Sequence, residues 1–225
     1  MKKLLVFVLV CMLSLPLFAQ ERDKTSTSAA PSPEITALQT AYRLAKYGYS
    51  NYSASALIGA AEIFTNVYTY ALDAAADKSQ DGAVSEAKAE TPVITPANLL
   101  ADARKYAAGD SAMLAWADIV QRELGRTYAG LPRGPKNGTE TVAALGSVSY
   151  RLTFRANQLA QVYVFGDGTT DLDLYIYDQD GNLIDYDDDW SDECMVLWVP
   201  KLTGQFTIVV KNLGRVWNRY YITTN

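Results

Sequence analysis

Acidic residues crowd one stretch of this sequence. Residues 167–193 contain eleven carboxylates and no lysine or arginine. Carboxylates this close repel one another, so the stretch requires either full exposure to water or a bound cation. Calcium suits such residues, because it takes about six to eight oxygen ligands from carboxylates, amides and carbonyls. The stretch therefore predicts either a calcium site or a solvated acidic loop.

Five of these carboxylates are candidate calcium ligands. Asp171 and Asp173 lie on one face of a predicted strand, about 7 Å from each other. They can share an ion only if a neighbouring loop closes over them. Residues 187–193 form that loop. The candidate ligands are Asp171, Asp173, Asp187, Asp189 and Asp192. The alternative is that these side chains form only a solvated face.

Three aromatic residues of the same stretch are candidates for ligand binding. Tyr175 and Tyr177 alternate with apolar residues on the predicted strand, and Trp190 lies in the acidic loop. Aromatic rings at a surface can stack on a sugar or on a protein. The alternative is that they pack against a neighbouring strand or loop.

The residue types argue against catalysis, and no catalytic residue is assigned. The sequence has no histidine, which excludes Ser-His-Asp and Cys-His catalysis and His-ligated zinc. No pattern marks one carboxylate as a buried acid or base. We therefore expect a protein that is not an enzyme. The remaining enzymatic alternative is a hydrolase, or a hydrolase accessory, that uses the carboxylates of residues 187–193.

The residues around this stretch alternate as β-strands do. Leu172, Leu174 and Ile176 share one side and predict a core face, while Gly181 marks a hairpin turn. Similar short runs continue to the C-terminus and predict an antiparallel, jelly-roll-like β-sandwich over residues 139–225. The runs lie near 139–144, 147–155, 159–166, 171–178, 182–186, 194–199, 204–211 and 217–223.

Helical periodicity characterises the preceding part of the chain. Residues 34–125 predict four helices in two hairpins. The second helix is predicted to run from about residue 53 to residue 72. Thr95 is the expected N-cap of the third helix and Asp110 that of the fourth. Residues 77–94 lack periodicity and predict a disordered connection.

The two parts of the chain differ enough to predict two domains. Residues 126–138 are rich in glycine and proline and predict a linker. The predicted fold class is therefore α+β as two separate domains, with an N-terminal helical-hairpin bundle followed by an antiparallel β-sandwich.

The N-terminus has the pattern of a secretory signal. Residues 1–19 combine two lysines, an apolar run and a cleavage site of small residues, and residues 20–33 predict a flexible lead. Cleavage would leave Cys194 as the only cysteine, without an intrachain disulfide, and would change the formal charge from −5 to −7. Nucleic acid is therefore not an expected partner. The mature protein is predicted to be secreted or periplasmic and not to span a membrane.

From about residue 138 to residue 225, the sequence resembles the bacterial pre-peptidase C-terminal domain, which is similar to the collagen-binding domains of clostridial collagenases. The motifs that carry the resemblance are GDGTTDLDLYIYDQDGNLI, the loop DDDWSDEC, the W-x-P of Trp198 and Pro200, and TGQFTIVVKNLG. The resemblance implies a secreted, non-catalytic, jelly-roll-like module that binds calcium in some members. The family module usually accompanies a protease, and no protease precedes it here, so peptidase activity is not implied.

Together these features predict an exported, non-catalytic protein for binding, adhesion or stabilisation, with a protein or a polysaccharide as the candidate ligand and calcium as the candidate cofactor. A further hypothesis is that the helical hairpins bind a protein partner, while the sandwich serves export or surface retention.

Overall fold

The computed structural model describes residues 29–72, 79–124 and 134–225. Within these ranges the chain forms helices and strands in an α+β arrangement. The helices are α1 (Pro33–Ser50), α2 (Ala54–Asn66), α3 (Pro96–Tyr106) and α4 (Ser111–Glu123). The strands are β1 (Tyr70–Ala71), β2 (Ser79–Gln80), β3 (Lys136–Val142), β4 (Ser147–Phe154), β5 (Ala160–Gly166), β6 (Leu172–Tyr177), β7 (Leu183–Asp187), β8 (Glu193–Trp198), β9 (Gly204–Asn212) and β10 (Asn218–Thr224). The predicted signal and most of the predicted lead lie outside the described residues.

The strands form two sheets that stack face to face. The first sheet has the order β1-β3-β10-β5-β8, and the second has the order β2-β4-β9-β6-β7. Neighbouring strands are antiparallel, except that β1 is parallel to β3. The strands from β3 to β10 are distributed between the sheets as in a jelly roll. The predicted β-sandwich is therefore confirmed.

Apolar side chains from the inner faces of both sheets fill the sandwich. Leu172, Leu174 and Ile176 are fully buried there, as their alternation predicts. Trp198 lies in the same core, with its ring centroid 4.7 Å from that of Phe154. Each predicted run corresponds to one strand, and the largest difference is that β3 begins at Lys136 rather than near residue 139.

Side-chain caps begin the third and fourth helices where the sequence predicts them. The Thr95 hydroxyl accepts a hydrogen bond from the Asn98 amide at 3.2 Å. Asp110 accepts from the amides of Ala112 and Met113 at 2.9 and 3.2 Å. Each cap satisfies amide donors that have no partner inside the first turn of a helix.

In the described part of the chain, no helix combines the length and the apolar character needed to cross a membrane.

The second helix is shorter than predicted. It ends at Asn66, and Tyr70–Ala71 pairs in parallel with the start of β3. Leu72, which the periodicity assigned to the helix, packs against the sandwich core. Residues 67–72 are apolar enough for either element, and the edge of β3 offers them backbone partners.

The helices pack against the outer face of the first sheet. Ile35, Leu38 and Tyr42 of α1 form one buried cluster with Tyr163 and Phe165 of β5 and with Tyr221 of β10. The ring centroid of Tyr42 lies 5.3 Å from that of Phe165 and 4.8 Å from that of Tyr221. Helices and sandwich thus share a hydrophobic cluster, in addition to the core of each.

The predicted separation into two domains is not confirmed, because this shared cluster joins the helices to the sandwich. The boundary also differs from the prediction. Of the predicted linker over residues 126–138, residues 126–133 lie outside the described residues, and residues 136–138 belong to β3.

The connection before α3, predicted to be disordered over residues 77–94, contacts the sandwich at several points where the structure describes it. β2 pairs with β4, and the Glu86 amide donates to the Arg215 carbonyl at 3.0 Å. The Ile94 amide donates to the Tyr221 hydroxyl at 2.6 Å. The segment lacks apolar periodicity because polar contacts, rather than a buried stripe, hold it on the sandwich.

Candidate functional site

The second sheet presents an outer face on which none of the described helices forms a hydrophobic cluster. We call this surface the open face, and it consists of the outward side chains of β4, β9, β6 and β7. In a strand, alternate residues point to opposite sides, so these residues are the ones between the core positions. They include Arg151, Asp173, Tyr175, Tyr177, Tyr186, Thr207, Val209 and Lys211.

Two tyrosines lie side by side on the open face. Tyr175 of β6 is the cross-strand partner of Tyr186 of β7, and the ring centroids are 6.1 Å apart with planes 21° from parallel. Tyr186 is 50% exposed. Burial and the hydrogen bond that the Tyr175 hydroxyl donates to Asp173, at 3.0 Å, raise the pKa of Tyr175 to about 12. The hydroxyl is therefore protonated at neutral pH, and we call this pair the tyrosine platform.

Polar residues border the tyrosine platform on both sides along the strands. On one side Asp173 is the cross-strand partner of Lys211, and on the other Tyr177 is the partner of Thr207. Thr207 in turn lies opposite Arg151. Asp173 is only 5% exposed. Burial raises its pKa, while Tyr175 and Lys211 act in the opposite direction.

The aromatic residues predicted as ligand contacts occupy two places. Tyr175 and Tyr177 lie on the open face, at successive outward positions of β6. Trp190 lies in the loop between β7 and β8 and is 98% exposed. Tyr186 is the residue that the sequence did not single out, although it completes the tyrosine platform. Simple alternation along β7 would point Tyr186 into the core. A bulge in the β6–β7 pairing shifts the register, so that Tyr186 lies on the open face beside Tyr175.

Three of the five predicted calcium ligands have partners within the protein. Asp187 accepts a hydrogen bond from the Met195 amide at 2.8 Å, and Asp173 accepts one from Tyr175. Asp192 accepts from the Gly168 amide and pairs with Lys46 at 3.2 Å. These contacts hold the acidic loop to its neighbours without an ion.

Asp171 differs from these three carboxylates. One of its carboxylate oxygens is buried and accepts no hydrogen bond. Burial raises the pKa of Asp171, and the charges of Asp173, Asp189 and Asp192 raise it further. Across the described ranges, no three acidic, cysteine or histidine side chains are grouped so that they could hold a metal ion. Asp171 therefore fits a cation, but the set of five is not assembled around one position, and calcium stays a prediction.

The first helix contributes basic residues to the acidic loop. Arg43 pairs with Glu193 at 2.7 Å, and Gln39 donates to the same carboxylate at 2.9 Å. The Tyr163 hydroxyl also donates to it, at 3.2 Å. Together with the pair of Lys46 and Asp192, these contacts neutralise the end of the loop that faces the helices.

A second charged cluster fixes the connection to the sandwich. Lys88 pairs with Asp167 at 2.6 Å, and both side chains are buried. The Lys88 ammonium also lies 3.5 Å from the centre of the Trp217 ring. Burial opposes ionisation of Asp167, but hydrogen bonds from Lys88, Thr169 and the Arg219 amide outweigh burial and lower its pKa.

Comparison with known proteins gives no family. No protein-family model and no curated protein matches the chain. Solved structures with similar folds include a periplasmic inhibitor of g-type lysozyme from Aeromonas hydrophila, at 10% identity and a TM-score of 0.32, over 40% of this chain and 84% of that chain. The pre-peptidase C-terminal domain of a Bacillus anthracis collagenase is similar at 12% identity and a TM-score of 0.31, over 40% of this chain and 89% of that chain.

A carbohydrate-binding module of a Cellvibrio mixtus lichenase, solved with cellotriose, is similar at 13% identity and a TM-score of 0.27, over 40% of this chain and 86% of that chain. These similarities extend over about two fifths of this chain. They assign neither a family nor a ligand to it.

Proposed function

We propose that this protein is an exported, non-catalytic binding protein that holds its ligand on the open face. The observation that carries the proposal is the tyrosine platform, in which Tyr175 and Tyr186 lie nearly parallel on a sheet surface. The opposite surface of the sandwich is covered by α1, so within the described ranges the second sheet is the one that leaves a face open to a large ligand. Export rests on the predicted signal in residues 1–19.

The chemistry of the open face suits binding. Tyrosine offers a large contact area and a hydroxyl for little loss of conformational entropy. Lys211 and Arg151 around the platform supply donors, and the Thr207 hydroxyl can donate and accept. A ligand that stacks on the rings could therefore satisfy polar groups at its rim.

The contacts of the acidic loop support a structural role for two of its carboxylates. Asp187 binds the backbone of β8, and Asp192 binds both the Gly168 amide and Lys46. A hydrolytic acid and base would have to face a substrate, whereas these carboxylates face the protein.

We also propose calcium as an accessory to this module, with Asp171 as the residue that contacts it first. The support is its buried oxygen without a partner and the nearby charges of Asp173, Asp189 and Asp192. A divalent cation would remove both penalties.

A binding experiment with matched variants tests the open face. The protein is mixed with insoluble cellulose, chitin, peptidoglycan or fibrillar collagen, and the fraction that sediments is measured. We expect the double variant Tyr175→Ala/Tyr186→Ala to lose binding about tenfold or more. The control Tyr47→Ala/Tyr52→Ala removes two exposed tyrosines from the helical side and should bind normally. Equal binding by all three proteins, or retention on none of these materials, would contradict the proposal.

A further inference from the structure

We infer that the ligand of the open face is a neutral polysaccharide whose sugar rings lie on Tyr175 and Tyr186. The inference rests on the proposed function and adds the chemical class of the ligand. It depends on the orientation of the two rings, on the polar groups beside them and on the charge that borders them.

The two rings of the tyrosine platform form an offset stack on the open face. The Tyr175 hydroxyl donates to Asp173 at 3.0 Å, and Asp173 is two residues earlier on the same face, so the Tyr175 ring leans along its strand. Tyr186 is nearly parallel to it, with ring centres 6.1 Å apart, within the range of offset-stacked pairs. Because Tyr186 is half exposed, the pair offers an aromatic surface to a ligand.

Groups that bind hydroxyls flank this surface. Lys211 lies on one side, and Thr207 and Arg151 lie on the other. A sugar has flat carbon-hydrogen faces that suit an aromatic ring and hydroxyls that both donate and accept. Donors and acceptors beside stacking rings are the combination that such a ligand requires.

The apolar part of the open face is narrow and bordered by charged residues. It consists of Tyr175, Tyr177, Leu183, Tyr186 and Val209, with Lys211 and Arg151 exposed nearby. A stable protein interface buries about 800 Å² per partner around a core that is poor in charged residues. A short row of rings between charged residues fits a narrow chain better than a broad protein surface.

The charge near the platform favours a neutral chain. Asp187 and Asp188 lie close enough to Asp173 to add to the effect of burial in raising its pKa, and the whole chain carries a formal charge of −5. A polyanion would be repelled by this border. A polycation would meet Lys211 and Arg151 on the face itself. A polymer without charge avoids both penalties.

Calorimetric titration of the full chain tests the inference. The probes are cellohexaose, xylohexaose and chitohexaose as neutral chains, with polygalacturonate as the acidic one. We expect at least one neutral chain to bind, with an affinity that hardly changes from low to high salt, because no ion pairs form. Tyr186→Ala should weaken this binding about tenfold or more. Tyr47→Ala, which removes an exposed tyrosine of the helical side, should leave the affinity unchanged.

Two results would overturn the inference. The first is that none of the neutral chains binds, and the second is that one binds equally well to the Tyr186→Ala variant. If collagen or polygalacturonate binds instead and the double variant Tyr175→Ala/Tyr186→Ala loses it, the ligand class is wrong but the open face is still the binding surface. If the double variant retains every ligand that the wild type binds, the proposed function fails as well.

Discussion

At the scale of single residues, Asp171 is held in an unfavourable environment. One of its oxygens is buried without a hydrogen bond, and burial, followed by the charges of Asp173, Asp189 and Asp192, raises its pKa. Folding therefore disfavours the ionised form. The resulting loss of stability is absent below the pKa of an unfolded aspartate, about 3.9, and is complete once the pH exceeds the raised folded pKa.

The variant Asp171→Asn should accordingly be more stable than the wild type at pH 7 in the presence of EDTA. The gain should be less than about 1 kcal/mol, because part of the side chain faces water, which screens the repulsion. The difference should shrink as the pH is lowered to about 3, where both forms are neutral. Urea unfolding at several pH values measures it, and a variant less stable than the wild type at pH 7 would refute the explanation.

Calcium gives a second readout from the same pair of proteins. A ligand that binds only the folded state raises the melting temperature. We expect calcium to raise the melting temperature of the wild type above its value in EDTA, and to have little effect on Asp171→Asn. A wild-type melting temperature that is the same in calcium and in EDTA would count against the calcium proposal.

Lys88 and Asp167 form an ion pair in which both side chains are buried. The variant Lys88→Met keeps the length of the side chain but leaves the Asp167 carboxylate without its ammonium partner. Removing one member of a buried pair typically costs about 3 kcal/mol or more, and the remaining donors to Asp167 place the expected loss near that lower figure. The exposed pair of Lys105 and Asp102 provides the control, because Lys105→Met should change the free energy of unfolding by less than about 0.5 kcal/mol. Equal losses in the two variants would show that Lys88 is not a structural anchor.

At the scale of elements, a glycine allows α1 and α2 to approach closely. A Cβ atom at Gly48 would lie 2.5 Å from Cδ2, 2.9 Å from Cγ and 3.2 Å from the backbone nitrogen of Leu57, so Gly48→Ala requires this fully buried leucine to shift. We expect a loss of about 1 to 3 kcal/mol in the free energy of unfolding. Gly59→Ala is the matched control, since its Cβ would lie 3.2 Å from the flexible end of Leu44 and alanine favours a helix by about 0.5 to 1 kcal/mol. Chemical denaturation of both variants checks this, and a Gly48→Ala variant as stable as the Gly59→Ala variant would contradict it.

The strands were predictable from the sequence, but the tyrosine platform was only half predictable. Alternation and turn residues locate β6 and β7, because a buried sheet face imposes a period of two. If the pairing of Tyr177 with Leu183 continued along the two strands without a bulge, Tyr186 would lie opposite Leu174 and point into the core. The bulge between Ile176 and Tyr177 shifts the register, so that Tyr186 lies opposite Tyr175 instead. An extra residue of this kind reverses the side of every residue after it, and no local sequence signal announces it here.

At the scale of the whole molecule, helices and sandwich should unfold together. Tyr42 of α1 is buried against Phe64, Phe165 and Tyr221, so Tyr42→Ala opens a cavity between the two parts. We expect a loss of about 3 to 5 kcal/mol, with native-state hydrogen exchange showing the same decrease for amides of α3 and of β9.

Tyr42→Phe is the control for Tyr42→Ala. It loses only the hydrogen bonds with Asn137 and should cost about 1 kcal/mol. If Tyr42→Ala lowers protection in α3 but not in β9, the helices and the sandwich are independent units, as the sequence predicted.

The sequence predicted each part of the molecule better than it predicted how the parts join. Periodicity identifies faces that are buried, but it does not say which face covers which. The stripe of Ile35, Leu38 and Tyr42 fits a helical bundle as well as it fits a sheet. Similarly, the residues around Lys88 look solvated, because their partners Asp167 and Trp217 lie far away in the sequence. Contacts between distant residues decide these features, and composition does not contain them.

The measurement that tests the account most directly is hydrogen exchange of the full chain with and without the polysaccharide that retains it. We predict that binding protects amides of β6 and β7, beneath Tyr175 and Tyr186, and leaves α1 and α2 unchanged. Protection of the helices without protection of β6 and β7 would contradict the central claim that the open face of the second sheet is the binding surface.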